Sequence, residues 1–254
     1  MIVIILAIFA VVNAEDIVKV SLGSVGGTVA DGSNLPEKYQ PLLPNDVTAT
    51  DSARKWWENL VANAATGTGN IPVLDPFFKD ELPPISIDHS LITGELKLKN
   101  VNITGIKNID LENLEVRAKN NRLDVVVSAP VLTGEADYEA DINLGFLPIT
   151  YTGHANLLLK GVKLTGAANT LRKRYKGAVV YQLDGIQATI HVDDVVIDIE
   201  KTLWDTVTGV MSTSQIFEEG SKAGTSAFRT QANIILREYP VKSVQKYLRV
   251  MSRH

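Results

Sequence analysis

The sequence contains no cysteine, so no disulfide staples the fold, no thiolate can act as a nucleophile, and no Cys-ligated zinc site can form. Nor does charge of either sign dominate. Against 25 Lys and Arg stand 29 Asp and Glu, a formal net charge of -4, which leaves no electrostatic footprint for nucleic acid. Long apolar runs are also missing beyond Met1–Ala14, and that stretch is too short to span a bilayer as a helix. Stability must therefore come from packing, for which 45% apolar residues in 254 suffice.

Catalytic signatures are equally scarce. The four histidines, His89, His154, His191 and His254, form no HExxH motif and stand at no metal-ligand spacing from one another. No GxSxG, P-loop or GxGxxG turn occurs. Asp193 and Asp194 are adjacent, but neighbours on a strand point to opposite faces and cannot share a proton or a metal without a bulge. The expectation is a protein that is not an enzyme and has no metal and no cofactor.

What the sequence has in quantity is two-residue alternation. From Gly134, Ala136, Tyr138, Ala140, Ile142 and Leu144 separate from Glu135, Asp137, Glu139, Asp141 and Asn143. After Gly145-Phe-Leu-Pro148 the pattern resumes with Ile149, Tyr151, Gly153, Ala155, Leu157 and Leu159. Such alternation predicts strands with one dry and one wet face, here joined as a long antiparallel hairpin. Further strands are expected over 91–100, 101–106, 111–118, 123–129, 162–167, 175–183 and 186–200, with a bend at Asp193-Asp194. In Gly94–Gly105 and in His154–Gly166 the apolar face shifts by one residue part-way along.

Ahead of the strands, Thr50 or Asp51 can cap a helix through Ala53, Trp56, Trp57, Leu60, Val61 and Ala64, ended by Gly67 and Gly69. Adjacent Trp56 and Trp57 cannot both face one core. Beyond residue 200 the spacing turns helical again, through Trp204 and Val207 and then Phe217, Phe228, Ala232 and Ile235, with Pro240 as a kink. Strands that follow one another without intervening helices indicate an α+β fold and exclude Rossmann and TIM architectures.

The domain reading has three parts. Residues 1–14 end in Val12-Asn13-Ala14, small residues at the positions a signal peptidase requires, and read as a secretion signal. Residues 15–49, rich in Gly and Pro, read as a flexible arm with little regular structure, and 50–254 as a single domain. Two surface features stand apart: the basic cluster Leu171-Arg-Lys-Arg-Tyr-Lys176, suited to a solvated hairpin tip or to an acidic headgroup, and Asn102-Ile-Thr104, a glycosylation acceptor sequence.

The segment Pro130-x-Leu-x-Gly-x-x-x-Tyr138, followed by Leu147-Pro-Ile149, Gly153 and Leu157–Lys160, resembles the insect takeout and haemolymph juvenile-hormone-binding protein family, as does Ile71-Pro-Val-Leu-Asp-Pro76. Gly94–Gly105 is also similar to the group 7 mite allergens. Both belong to the tubular lipid-binding superfamily. The N-terminal cysteine pair of takeout proteins is missing.

The resemblance implies a long C-terminal α-helix wrapped by a strongly curved antiparallel β-sheet, with an elongated apolar cavity between them. It implies a secreted, extracellular carrier of a juvenile-hormone-like terpenoid, fatty acid or other lipid, expected as a monomer. The alternative is a surface-active protein of the same fold that associates with a lipid surface. The alternating pattern supplies the candidate lining: Val125, Val127, Tyr138, Ile142, Leu144, Tyr151 and Leu157 from the sheet, and Phe217, Phe228 and Ile235 from the helix. A tyrosine hydroxyl, of Tyr138 or Tyr151, would orient a polar headgroup.

Overall fold

The computed structural model describes residues 17–38, 41–67, 73–82, 84–88, 92–144 and 146–200, together with residue 212 and ten positions between 215 and 237. The chain begins with strand β1 (Ile17–Gly32), helix α1 (Pro44–Ala62), β2 (Phe77–Glu81), β3 (Ile85–Asp88) and β4 (Ile92–Thr104). A short 3-10 turn (Ile106–Asn108) leads to β5 (Asp110–Arg117), β6 (Arg122–Leu144), β7 (Leu147–Tyr175) and β8 (Ala178–Glu200). All eight strands join one sheet in the order β1-β8-β7-β6-β4-β2, with β3 on β4 and β5 on β6, and every pairing is antiparallel. The predicted hairpin is β6–β7, and it is longer than expected: its ladder runs from Leu144 opposite Leu147 to Arg122 opposite Asn169.

Segments that the alternation separates are continuous strands, because the phase of the dry face slips inside each one. Buried positions change from Leu96 and Leu98 to Val101 and Ile103 in β4, and from Val127 and Ala129 to Leu132 and Ala136 in β6. The same change runs from Leu157 and Leu159 to Val162 and Leu164 in β7, and from Ile190 and Val192 to Val195 and Ile197 in β8. In β1, β8, β7 and β6 the slips face one another across the ladder, at Gly23, Asp193-Asp194, Gly161 and Pro130. An extra residue in each strand flips its side chains, so a shared line of bulges keeps one face dry on both sides. Pro130 is tolerated mid-strand because its lost donor falls at this break in the ladder. The bend expected at Asp193-Asp194 lies on the line.

Three expectations are corrected here. Residues 15–49 are not devoid of regular structure: β1 pairs with β8 from Ile17 opposite Glu200 to Gly32 opposite Gly185. Its glycines mask the strand in the sequence, yet Gly26 lies where a Cβ would come within 3.0 Å of the Ile190 carbonyl, a close approach between strands. Helix α1 starts at Pro44, six residues ahead of Thr50, with proline in its first turn and the Asp46 carboxylate accepting the Leu43 N–H at 3.0 Å. The sheet, finally, is not strongly curled. Small residues on the dry face stand opposite large ones at Tyr138–Gly153 and Ala140–Tyr151, and opposite one another at Ala136–Ala155.

Helix α1 protects an edge. One side of β5 pairs with β6, and the other would expose backbone donors and acceptors. Asp46, Thr50 and Arg54, one turn apart on α1, take them in sequence: Ala118 N–H donates to Asp46 at 2.8 Å, Val116 N–H to Thr50 Oγ1 at 2.8 Å, and Arg54 donates to the Leu114 carbonyl at 3.4 Å. The buried face of α1 is thus polar, with Asp46 1% exposed, where the sequence pattern pointed to an apolar one. As expected, only one tryptophan faces the core: Trp57 packs against it, and Trp56 is 40% exposed.

The ten described positions between 215 and 237 are helical, in line with the helical spacing beyond residue 200. Ser221 and Thr225 are buried, the Arg229 guanidinium holds Asp31 of β1 at 2.7 Å, and Asn233 donates to the Leu183 carbonyl at 3.1 Å. The Arg237 guanidinium lies 5.3 Å from the centre of the Tyr175 ring. These contacts run towards the β7–β8 turn.

Candidate functional site

Seven of the predicted lining residues lie on the described strands β6 and β7. Val127, Tyr138, Ile142 and Leu157 are buried, and Val125 and Tyr151 are half-buried against the same core. Leu144 closes β6 opposite Leu147. Phe217, Phe228 and Ile235 fall outside the described residues.

The ladder does not gather all seven at one place. Tyr138 stands opposite Gly153 and Tyr151 opposite Ala140, so the two tyrosines are diagonal neighbours on the dry face, within side-chain reach. Ile142, opposite Ile149, adjoins them. Leu157, opposite Gly134, lies nearer the line of bulges. Val125 and Val127 are beyond it. From Val125 to Ile142 the strand advances about 55 Å, longer than any single acyl chain. The predicted set therefore divides into a tyrosine end and a valine end.

Within the tyrosine end three pairs set large against small, Tyr138 with Gly153, Tyr151 with Ala140 and Leu157 with Gly134, and between them Ala136 faces Ala155. Two of the large residues at this end, Tyr138 and Tyr151, carry ring hydroxyls.

On the wet face the carboxylates are held by cations and amides. Lys97 donates to Glu139 at 3.0 Å, and Lys99 to the same carboxylate at 3.2 Å. Hydrogen bonds from Lys97 and then Lys99 hold Glu139 below the usual carboxylate range. Asn100 and then His154 lower Asp137 in the same way, with the His154 imidazole 2.9 Å away. His154 is thus a wet-face partner, as its strand position predicted. Asp194 accepts from Lys160 at 2.9 Å and Ser21 at 3.0 Å and is lowered by both, while Asp193 faces His191 at 3.1 Å. The adjacent aspartates have separate partners. Among the described residues no group of three or more His, Cys, Asp or Glu could hold a metal.

Two features escaped the sequence reading. A groove of about 300 Å³ crosses the wet face, lined among others by Asn102, Thr133 and Asn156, with Leu158 and Val196 as an apolar floor. The outward placement of Leu158 beside inward Leu157 and Leu159 carries no sequence signal, since a run of three leucines hides its phase. The second is Asp75. Buried within the Ile71–Pro76 motif, it accepts the N–H groups of Gly105 at 3.2 Å and Lys107 at 3.0 Å. Leu74 and Asp75 N–H groups in turn donate to the Ala64 carbonyl at 2.7 and 2.9 Å. The motif ties the end of α1 to the 3-10 turn, an architectural role.

Against known proteins, the family model described as haemolymph juvenile hormone binding protein (JHBP) matches residues 20–252. The chain belongs to this family. The match includes most of β1, so the first strand of the sheet is part of the family pattern rather than an appendage. Of solved structures, Takeout 1 of Epiphyas postvittana is 19% identical, with 79% of this chain and 96% of that one covered and a TM-score of 0.48. A lipopolysaccharide binding protein is 14% identical over 85% of this chain and 42% of its own, with a TM-score of 0.33. No curated protein matches the sequence.

Proposed function

We propose that the protein is a secreted carrier of a small hydrophobic ligand, held between the dry face of the sheet and the C-terminal helix. The observation that carries this reading is the large-against-small pairing at the tyrosine end of β6 and β7, in a chain of the juvenile hormone binding family. Tyr138, Ile142, Leu144 and Tyr151 line the ligand, with Leu157 at its inner end and Phe217, Phe228 and Ile235 facing them from the helix. Val125 and Val127 lie too far along the strand to touch the same molecule and line its extension. Membership of a haemolymph family and the apolar Met1–Ala14 stretch support secretion.

Affinity needs no chemistry beyond burial. At about 25 cal/mol per Å² of apolar surface, a few hundred Å² supplies the equivalent of micromolar binding before ordering losses. A terpenoid or acyl chain offers that area, and the Tyr151 hydroxyl meets its polar end. Titration with a fluorescent fatty acid and a fluorescent terpenoid tests the reading. Saturable binding of one probe per chain is expected, with competition by unlabelled lipid; no saturation with either class discards the carrier.

A further inference from the structure

The β7–β8 turn leaves the sheet behind. On one side β6 pairs with β7 only as far as Asn169, and on the other β1 pairs with β8 only as far as Gly185. Thr170–Tyr175 and Ala178–Leu183 therefore pair with each other alone, a two-stranded ribbon extending about 20 Å past its neighbours. The turn is tight: Lys176 and Gly177 both have positive φ, 46° and 79°, the backbone of a two-residue hairpin.

This ribbon is the most basic part of an acidic protein. Residues 168–183 contain Arg172, Lys173, Arg174 and Lys176 and no carboxylate, while the whole chain has a net charge of -4. All four cations are exposed, and among the described residues none of them is in an ion pair. On the wet face of the sheet, by contrast, Lys97, Lys99, Lys160 and Lys163 are each matched with a carboxylate.

The cations are interleaved with apolar and aromatic groups. Leu171 is 37% and Val179 42% exposed. The Arg172 guanidinium lies over the Tyr181 ring, 5.9 Å from its centre, and the Lys176 ammonium over the Tyr175 ring at 5.4 Å, cation–π contacts that leave both charges on the surface of the ribbon. The Arg237 guanidinium also lies over the Tyr175 ring, which ties the ribbon to the helical residues.

We propose that this ribbon docks the protein onto a lipid surface bearing anionic headgroups. On one face of the ribbon Arg172 and Arg174 stand opposite Tyr181 and Val179; these cations, with Lys176 at the turn, pair with headgroup phosphates and carboxylates, Val179 enters the interface, and Tyr181 lies at headgroup depth, where amphipathic rings are favoured. A free polyanion such as a sulfated polysaccharide would reward the charges alone and would leave Val179 in water; its exposure beside Arg174 on the same face favours the bilayer. The ribbon lies apart from the proposed ligand site at Tyr138 and Tyr151, so the docking and the carrier readings can fail separately.

The test is flotation of the full chain with vesicles of phosphatidylcholine alone or with about one-third phosphatidylserine, at low and high salt. Wild type is expected to float with the anionic vesicles only, and to be released by salt. Each basic residue near such a surface contributes roughly fivefold in partitioning. Replacing Arg172, Lys173, Arg174 and Lys176 with Gln should lower it by about a hundredfold or more. The same charge change at Lys55, Lys79, Lys107 and Lys119, all exposed elsewhere, should lower it far less. Circular dichroism of both variants checks that they fold. Equal loss in the two variants, retention by the ribbon variant, or wild-type binding to heparin resin without binding to anionic vesicles would each overturn the proposal.

Discussion

Replacing Asp46 with Ala removes the side chain on which α1 and the β5 edge both depend. One of its oxygens accepts the Ala118 N–H at 2.8 Å and the other the Leu43 N–H at 3.0 Å, and the residue is 1% exposed, so water cannot take over either bond. A hydrogen bond to a charged group contributes about 1.5–3 kcal/mol, and a buried donor left without a partner costs a similar amount. The expected loss is about 4 kcal/mol, a large share of a typical stability of about 5–15 kcal/mol. Asn in its place keeps one acceptor and sets an amide N–H against the other donor, for about half the loss. Asp51, exposed on the same helix, is the control and should change stability by less than about 0.5 kcal/mol on truncation to Ala. In urea, with a slope of about 3 kcal/mol per molar, the Asp46→Ala midpoint should fall by roughly 1.3 M. A midpoint indistinguishable from that of Asp51→Ala would refute the view that α1 is fastened through polar groups.

Gly161 sits at φ +60°, and a Cβ there would collide with the Asp193 carboxylate; Gly161→Ala should destabilise by about 1–3 kcal/mol and move the urea midpoint accordingly. Asp75→Ala strips the acceptor from two N–H groups of the 3-10 turn and should cost about 3 kcal/mol, with faster hydrogen exchange at Gly105 and Lys107 as its local signature. Glu139, Asp137 and Asp194 all have folded values held below those of free carboxyls, 4.5 for Glu and 3.8 for Asp. Their contribution is therefore complete above about pH 5 and lost as pH falls through the depressed values, so thermal stability should be flat from pH 5 to 8 and fall below pH 4, a decline that 1 M salt reduces. Ala140→Leu fills the space opposite Tyr151 and should weaken fluorescent-lipid binding at least tenfold while costing about 1–3 kcal/mol in stability; unchanged affinity would move the ligand away from the tyrosine end.

How far the sequence could be read depends on what sets each element. The β6–β7 hairpin is legible because Tyr138, Ala140 and Ile142 alternate with charges without interruption, and one face of that ladder must be dry. The bend at Asp193-Asp194 is legible for the same reason, since Val192 and Val195 break the alternation visibly. In β1, Val25, Gly27 and Val29 alternate too, but glycine at three of the surrounding positions reads as irregular chain until the neighbouring backbone of β8 is in place. Helix α1 fails differently. Its buried face is chosen by the free groups of β5, which are backbone atoms seventy residues away and leave no mark on the apolar spacing of 50–64. For the candidate site, dry-face membership was readable, but distance along the strand was not, because alternation gives a phase and never a position. That is why Val125 and Tyr138 stood in one predicted lining although the slip at Pro130 lies between them.

The shared slip also explains how strands of 23 and 29 residues can serve one interior. A strand that long in a single phase accumulates twist, and its far end turns away from the core it started on. A bulge in one strand alone would pass the error to its neighbours by setting dry positions opposite wet ones. Four slips in line, at Gly23, Asp193-Asp194, Gly161 and Pro130, redirect the strands together and keep dry opposite dry on either side. The residue types at the line fit that task, since Gly161 takes a positive φ, Pro130 gives up a donor that the break does not use, and Asp194 draws Lys160 and Ser21 across three strands. The line therefore divides the sheet into a half carrying Tyr138 and Tyr151 on β6 and β7 and a half ending in the basic β7–β8 ribbon, two regions of different character joined by the one continuous strand β7.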